Sequence, residues 1–417
     1  MNEIQLTKLV KNMAGVPVCQ ESGARSVDNN KGVPVVLTKL VNIRIAILRR
    51  YIASDLKDLN RRTVYNLLIA AGEISRAEIS RRTGISSPTV IKIINHFREL
   101  GFVSFEGEGE SRLGRKPQII RLNRLAACSV GVDFQGDQVR IGVVDLLGRV
   151  LAQKNFAIRP DFVAIMKQRL AGMIEEVILR SGVGKDRIIG VGIGVPGAVS
   201  ADRRVVELAP LMGIRGPLTV ERLIVELEAR LGLPVLLEKD VNAAVLGEFV
   251  HRTDLESTDL VYISVGTGIG AGLILDGKLR RGRNNLAGEI GYLFFEKGVA
   301  VDTSTPGWLE SRIGYTTFAG SPDPHSAVDR VAEDLALGIA NLSILIDVDR
   351  VVIGGIGAEL LGPPLLAALN ARLASLSLRP VRCLAPVCPE PGVVGAAWIA
   401  TDARLAELLD GTKPQAV

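Results

Sequence analysis

Residues 75–101 read SRAEISRRTGISSPTVIKIINHFRELG and predict two short helices around a tight turn. The first helix begins at Ser75, whose side chain can accept a hydrogen bond from the backbone N–H of Glu78, while Glu78 can reach back to Ser75. The helix ends at Gly84, because glycine readily adopts the left-handed conformation that ends helices. Ser87 is expected to cap the second helix, which carries a proline at its first position. Two helices arranged in this way form a helix-turn-helix.

The second helix has one apolar face and one polar face. Val90, Ile94 and Phe97 have the spacing of a core stripe. The polar face carries the side chains that we expect to bind DNA, which are Ser87, Thr89, Lys92 and His96. A recognition helix presents its N-terminal half to the base edges of the major groove, so this face is the one expected to enter the groove.

The flanking residues complete a winged helix. Residues 62–70 have helical apolar spacing, and residues 102–105 and 118–122 read as two strands. The polar loop between the strands, the wing, carries three cations suited to phosphates or the minor groove: Arg112, Arg115 and Lys116. We therefore place a winged helix-turn-helix over residues 55–125. The alternative is a helical hairpin beside an unrelated β-ribbon.

Charge divides the chain at the same place. The 417 residues are 47% hydrophobic and carry a net charge of +5. Residues 38–125 hold 17 Lys and Arg against 8 Asp and Glu, whereas residues 126–417 hold 29 against 34. A basic segment on an acidic body indicates that one part meets a polyanion, although a solvated basic surface would give the same counts.

Targeting signals and cysteine pairs are not evident in the sequence. No apolar run reaches the roughly 18 residues of a membrane span, and the first residues lack the pattern of a signal peptide. The expected location is therefore the cytoplasm, with no membrane partner. The cysteines are scattered, which predicts neither a disulfide framework nor a thiolate zinc site; they are Cys19, Cys128, Cys383 and Cys388. Residues 1–54 carry no motif and are treated as an N-terminal extension, and residues 406–417 as a tail.

Residues 126–405 show an α/β pattern that occurs twice. A β-hairpin followed by alternating helices and strands begins near residue 129, and a second such set begins near residue 260. This doubling predicts two similar lobes that face a cleft.

The motifs of both regions together resemble the ROK family (repressors, open reading frames, kinases), over about residues 55–405. The N-terminal motifs resemble its xylose and N-acetylglucosamine repressor branch: Asn60-Arg61-Arg62, Thr83-Gly84-Ile85-Ser86 and Gly114-Arg115-Lys116-Pro117. Four later motifs resemble its sensor core: GIGVPG at 192–197, DVNAA at 240–244, GTGIGAG at 266–272 and AGEIG at 287–291. The resemblance implies a two-lobed actin-like (sugar-kinase/ribonuclease H-like) domain behind the winged helix.

The first phosphate-binding motif departs from that of the family's kinases. They bind ATP with an Asp-x-Gly-Gly-Thr hairpin, and the matching residues 133–137 read Asp-Phe-Gln-Gly-Asp. Gln135 replaces a glycine, and Asp137 puts a carboxylate where the triphosphate would lie. The second phosphate turn, residues 266–268, is intact, and we interpret it as a turn kept for packing. We therefore expect no ATP-dependent kinase activity and no cofactor.

The resemblance also implies a sugar site. Asp240 stands where the kinases have their general base, and with Glu289 and Glu310 it is expected to accept hydrogen bonds from sugar hydroxyls. Three further residues complete the expected ligand-binding set: Lys239, Tyr292 and Gly197. Tyr292 replaces the histidine of the family's zinc site, and the segment from there to Glu310 has no cysteine, so no metal is expected. Lys239 favours an acidic or phosphorylated sugar, unless it only neutralises Asp240.

These observations predict a repressor of a carbohydrate-utilisation operon, controlled by a sugar-like effector and bound to double-stranded operator DNA as a homodimer or tetramer. One alternative is a sugar kinase with a DNA-binding arm, which an ATP-consumption assay would identify. The other is a DNA-bound regulator whose degenerate sensor responds to a protein partner. Thermal-shift screening separates this last possibility from the sugar-controlled repressor, because a ligand that binds only the folded state raises the melting temperature of the protein.

Overall fold

The computed structural model describes residues 56–106, 118–158, 161–200, 203–208, 214, 216–252, 258–296 and 305–410. The chain divides into two compact units, 1–57 and 58–417, and the second contains almost everything described below. The predicted N-terminal extension lies outside the described residues, as do the wing cations Arg112, Arg115 and Lys116. None of the described helices combines the length and apolar character of a membrane span.

The winged helix contains helices packed against a small antiparallel sheet. Its elements are α1 (56–71), β1 (Glu73–Ser75), α2 (Arg76–Thr83), α3 (Ser87–Glu99), β2 (Val103–Glu106) and β3 (Ile119–Leu122). The strand order is β1-β3-β2, with both pairs antiparallel. Val90, Ile94 and Phe97 are fully buried, as the spacing predicted, and pack with Tyr65 and Leu68 of α1. The predicted helix-turn-helix is confirmed.

The helix caps agree with the sequence in part. The Ser75 hydroxyl accepts a hydrogen bond from the Glu78 backbone N–H (3.2 Å), and Gly84 ends α2 in the left-handed conformation (φ 70°). Glu78 does not reach back to Ser75, because its carboxylate pairs with Arg81 (2.8 Å). The prediction that Ser87 caps α3 was wrong by one residue. Ser86 precedes the helix, whereas the Ser87 hydroxyl donates to Ser80.

The larger region has two lobes with the same sheet topology. The first lobe contains β4 (Cys128–Gln135), β5 (Gln138–Asp145), β6 (Val150–Ala157), α4 (Leu170–Ser181), β7 (Ile188–Val195), β8 (Ala198–Val199), β9 (Val205–Leu208), β10 (Leu218–Thr219), α5 (Glu221–Leu231), β11 (Val235–Lys239) and α6 (Asp240–His251). Helical turns Phe162–Ala164 and Ile165–Arg169 precede α4. The second lobe contains β12 (Leu260–Val265), β13 (Ile269–Leu275), β14 (Lys278–Leu279), α7 (Trp308–Ile313), α8 (Val328–Ile346), β15 (Arg350–Gly354), α9 (Ile356–Leu376) and β16 (Arg382–Leu384). The last helix, α10 (Pro391–Asp410), follows the second lobe in the sequence but packs on the sheet of the first.

The two central sheets have strand orders β11-β7-β4-β5-β6 and β16-β15-β12-β13-β14. In each sheet, two antiparallel pairs lie on one side and two parallel pairs on the other. Each sheet has its own apolar core. The doubled pattern in the sequence therefore corresponds to two equivalent lobes.

Helix α10 packs in backbone contact with α6 and with the first sheet. A Cβ atom at Gly395 would lie 1.6 Å from the Ala243 carbonyl oxygen, and one at Gly247 would lie 2.1 Å from that of Pro391. Side chains cannot occupy such positions, so glycine is required at these crossings. Helices α6 and α10 are therefore locked together.

The C-terminal end of α10 packs in the core of the winged helix. Leu405 and Leu409 are buried in the same apolar cluster as α1 and α3. Arg62 forms an ion pair with Asp402, and the His96 Nε2 lies 2.7 Å from the carbonyl oxygen of Leu409. The helix continues to Asp410, past residue 405, where the sequence placed the end of the sensor domain. Its 20 residues span about 30 Å from the lobes to the winged helix.

Candidate functional site

A cleft of about 480 Å³ lies between the lobes. It brings together three motifs that are far apart in the sequence: the turn at 133–137, the turn at 266–268, and the start of α6 at Asp240. The first residues of α9 and α10 also reach its wall. The cleft is therefore bounded by both lobes and by the start of α10.

All six residues expected to bind a ligand line this cleft. They are Gly197, Lys239, Asp240, Glu289, Tyr292 and Glu310. Sequence reasoning missed Tyr315 and Thr316, which also line it. The backbone N–H of Tyr315 donates to the carbonyl oxygen of Gly266 (2.9 Å), which fixes this segment beside the glycine turn. That contact joins residues distant in sequence, so no local pattern indicates it.

Asp240 is positioned by the junction of β11 and α6. Lys239 is still extended, and Asp240 is the first residue of the helix, where a carboxylate interacts favourably with the helix dipole. Its Oδ1 accepts a hydrogen bond from the Val241 N–H (2.7 Å). Across from it, a Cβ at Gly194 would lie 3.4 Å from the Asp240 Cα, so β7 closely supports the start of α6.

Burial makes three carboxyls of the cleft easier to protonate than free ones. It raises the pKa of Asp240 to about 6 and that of Glu310 to about 7. The pKa of Asp133 rises to about 7, because of burial first and the nearby charge of Asp240 second. These groups have lost hydration, and a hydroxyl donor from a ligand would replace part of it.

Lys239 pairs with Glu289 at the floor of the cleft. Its Nζ lies 2.6 Å from the Glu289 Oε1, and only 4% of its side chain is exposed. The charge of Lys239 also opposes the burial effect on the pKa of Asp240. Among the described residues that line the cleft, Lys239 is the one with a positive charge, and five of the others are acids. This pairing disfavours the anionic effector that the sequence suggested.

The first phosphate turn is filled by its own side chains. The Gln135 Nε2 donates to the Asp133 Oδ2 (2.9 Å), and on the other side a Cβ at Gly392 would lie 2.3 Å from that oxygen. A Cβ at Gly136 would lie 3.7 Å from the Thr267 Cγ2, so the two phosphate turns approach each other across the cleft. The expected turn at 266–268 is present, closed by a Gly266 N–H to Gly268 O hydrogen bond (2.9 Å).

The exposed face of α3 differs from the predicted DNA-binding face at one residue. Ser87 and Lys92 are exposed, and Thr89 is half-buried with its hydroxyl 2.9 Å from that of Ser86. His96 is turned away toward α10 through its contact with Leu409, so the prediction that it lies on the DNA face was wrong. Ile91 takes its place on the exposed face, with 42% exposure.

Two arginines of the winged helix lie over an aromatic ring, which the sequence did not indicate. The guanidinium groups of Arg76 and Arg98 lie 5.0 and 5.5 Å from the ring centroid of Phe105. Cations held over an aromatic ring keep a defined position while retaining their charge. The contact joins α2, α3 and β2. In the sequence, the only sign of it is that an arginine stands near one end of each of these two helices.

Comparison with known proteins agrees with this geometry. Residues 129–306 match the model of the ROK family, and residues 57–104 match a winged helix-turn-helix DNA-binding model. The xylose repressor of Caldicellulosiruptor bescii is 29% identical over 72% of this chain and 83% of its own length. The glucokinase of Streptomyces coelicolor is 27% identical over 66% of this chain and 98% of its own.

Comparison with solved structures supports the same domain composition. A ROK family transcriptional regulator, described as a homolog of the E. coli MLC protein, superposes on this chain with a TM-score of 0.70 and 21% identity. The match covers 86% of this chain and 98% of that one, and it shows the fold. The ROK family glucokinase of Streptomyces griseus, in complex with glucose and AMPPNP, has a TM-score of 0.55, 26% identity and coverage of 66% and 100%. The chain thus joins a winged helix-turn-helix to an actin-like domain of the sugar-kinase type. That second domain is a ROK-family domain.

Proposed function

We propose that this protein is a DNA-binding transcriptional repressor of a carbohydrate-utilisation operon, and that a sugar or sugar derivative in the cleft sets its activity. The observation that carries the proposal is the path of α10, which begins at the cleft and ends in the core of the winged helix. The relatives named as xylose repressors support the same function.

The effector acts through the lobes. Sugar hydroxyls donate hydrogen bonds to Asp240 and Glu310, which have lost hydration on burial. A ligand that fits the closed cleft better than the open one shifts the population toward closure. Because α6 starts at Asp240 and is locked to α10, closure moves α10 and with it the winged helix. In a homodimer, the spacing of the two recognition helices over the operator then changes.

Lys92→Ala should weaken operator binding by about 5- to 150-fold if Lys92 contacts a base, which is the range for losing one base contact. If Lys92 contacts a phosphate, the loss of affinity should be smaller and equal for all DNA sequences. Lys92 is exposed on α3 and lies in the N-terminal half of the helix, the half that reads base edges in a recognition helix. Fluorescence anisotropy with operator DNA at several salt concentrations measures both the loss and the salt slope. Arg222→Ala is the matched control, since it removes an 89%-exposed cation from α5 of the sensor. Equal binding by both variants would contradict the assignment of α3.

We also propose that the protein lacks sugar kinase activity. Gln135 satisfies the Asp133 carboxylate, and Asp137 adds a negative charge where the family's kinases place triphosphate. A coupled ATP-consumption assay over a sugar panel should show no turnover, with the S. coelicolor glucokinase as positive control. Sustained turnover near 1 per second, within the usual enzyme range, would make the protein a kinase with a DNA-binding arm.

A further inference from the structure

The cleft is larger than one sugar unit requires. The carboxylates at one end are Asp240, Glu289 and Glu310, yet the same cavity continues to Tyr315 and to Gly355 at the start of α9. A volume of about 480 Å³ falls in the range of sites that bury whole drug-sized ligands. A monosaccharide on the three carboxylates therefore leaves the part of the cleft beyond Asp240, here called the far half, unfilled.

The far half is unsuited to phosphate. Among the described lining residues, Asp137 on the first phosphate turn is its charged one, and Asp133 lies beside Asp240 at its edge; both are acids. The positive charge in the cleft wall, on Lys239, is at the other end and is already paired with Glu289. Like charges at close range repel, and water screens this repulsion less at the buried Asp133 than at the exposed Asp137. A nucleoside triphosphate would meet this repulsion without a compensating cation from the described wall.

The far half is suited to hydroxyl groups instead. Asp137 offers an exposed carboxylate, and the hydroxyls of Ser264, Thr267 and Thr316 can both donate and accept. The side-chain oxygen of Gln135 is buried beside them and accepts no hydrogen bond from the described residues. Hydrogen bonds from hydroxyls to a carboxylate are stronger than those between neutral groups. Tyr315 adds an aromatic ring to the same wall, which gives apolar contact area to the carbon face of a ring-shaped ligand.

We infer that the effector is an uncharged oligosaccharide of at least two units. One unit lies on Asp240 and Glu310, and the next occupies the far half, which the family's kinases use for ATP. This inference rests on the proposed function, because it concerns the effector of the same cleft. It explains why the phosphate turn carries Gln135 and Asp137: both serve as hydroxyl partners of the second unit.

Titration calorimetry on the full chain with matched pairs of sugars tests the inference. Xylose is compared with xylobiose, and glucose with cellobiose and maltose. At least one disaccharide should bind about 10- to 100-fold more tightly than its monosaccharide, which corresponds to one or two added hydrogen bonds to charged or polar groups. ATP serves as a further ligand. Monosaccharides that bind as tightly as every disaccharide, or ATP that binds more tightly than they do, would overturn the inference.

Two variants assign the second unit to the far half. Asp137→Ala and Gln135→Ala should each bring the ratio of disaccharide to monosaccharide affinity down toward 1. Asp186→Ala removes an acid with an 82%-exposed side chain outside the cleft and should leave the ratio unchanged. Melting temperatures confirm that each variant is folded. A ratio unaffected by both cleft variants refutes the second subsite, whereas failure of every sugar to bind the wild type refutes the proposed function itself.

Discussion

Gly395→Ala should destabilise the protein by about 1–3 kcal/mol or more, the cost of overpacking a filled interior. The added Cβ would lie 1.6 Å from the carbonyl oxygen of Ala243. That oxygen belongs to the backbone of α6, so no change of rotamer can relieve the clash, and α10 must move away from α6. Urea unfolding followed by circular dichroism measures the midpoint, which should fall clearly below that of the wild type.

Gly172→Ala is the control for this variant. Gly172 lies within α4, and nothing is within 4 Å of the position its Cβ would take. Alanine there should raise stability by about 0.5–1 kcal/mol, because it restricts the unfolded chain and favours the helix. If Gly395→Ala matched the wild type in the same experiment, α6 and α10 would not be in backbone contact.

Asp240→Ala should weaken effector binding by about 10- to 150-fold, since hydrogen bonds to charged groups contribute about 1.5–3 kcal/mol each. The substitution removes a buried acceptor while leaving the other cleft carboxyls in place. Basal operator binding should persist, because α10 reaches the winged helix without using this side chain. Calorimetry with sugars and anisotropy with operator DNA, with and without sugar, give the two readouts.

Asp240→Asn separates recognition from folding. It keeps an oxygen acceptor of the same size but removes the charge, so effector affinity should lie between those of the wild type and of Asp240→Ala. The change in operator binding that sugar causes should follow the sugar affinity in all three proteins. Loss of DNA binding without any change in sugar affinity would assign Asp240 a structural role.

Features with a local signal were predictable from the sequence. The Ser75 cap and the turn at Gly84 follow from neighbouring residues, and both occur in the structure. The cleft residues were found because the family motifs carry them in order, and the topology then brings the ends of different strands to one place. The doubled α/β pattern therefore predicted both lobes, and the family motifs predicted the wall of the cleft.

Features that depend on distant contacts were not predictable. His96 has the spacing of a DNA-facing residue, but its partner Leu409 is 313 residues away. Lys239 follows Glu238 and precedes Asp240, yet its ion pair is with Glu289, from the other lobe. Periodicity describes one helix or strand at a time, and it contains no information about which distant segment will pack against it.

The order of synthesis gives α10 another consequence. The winged helix leaves the ribosome early, whereas Leu405 and Leu409, which complete its buried cluster, are translated after nearly all of the sensor. A polypeptide cut short before this helix would present apolar surface on the winged helix and would be exposed to aggregation or proteolysis. The buried cluster of the winged helix is therefore complete only in a chain that has been translated through α10.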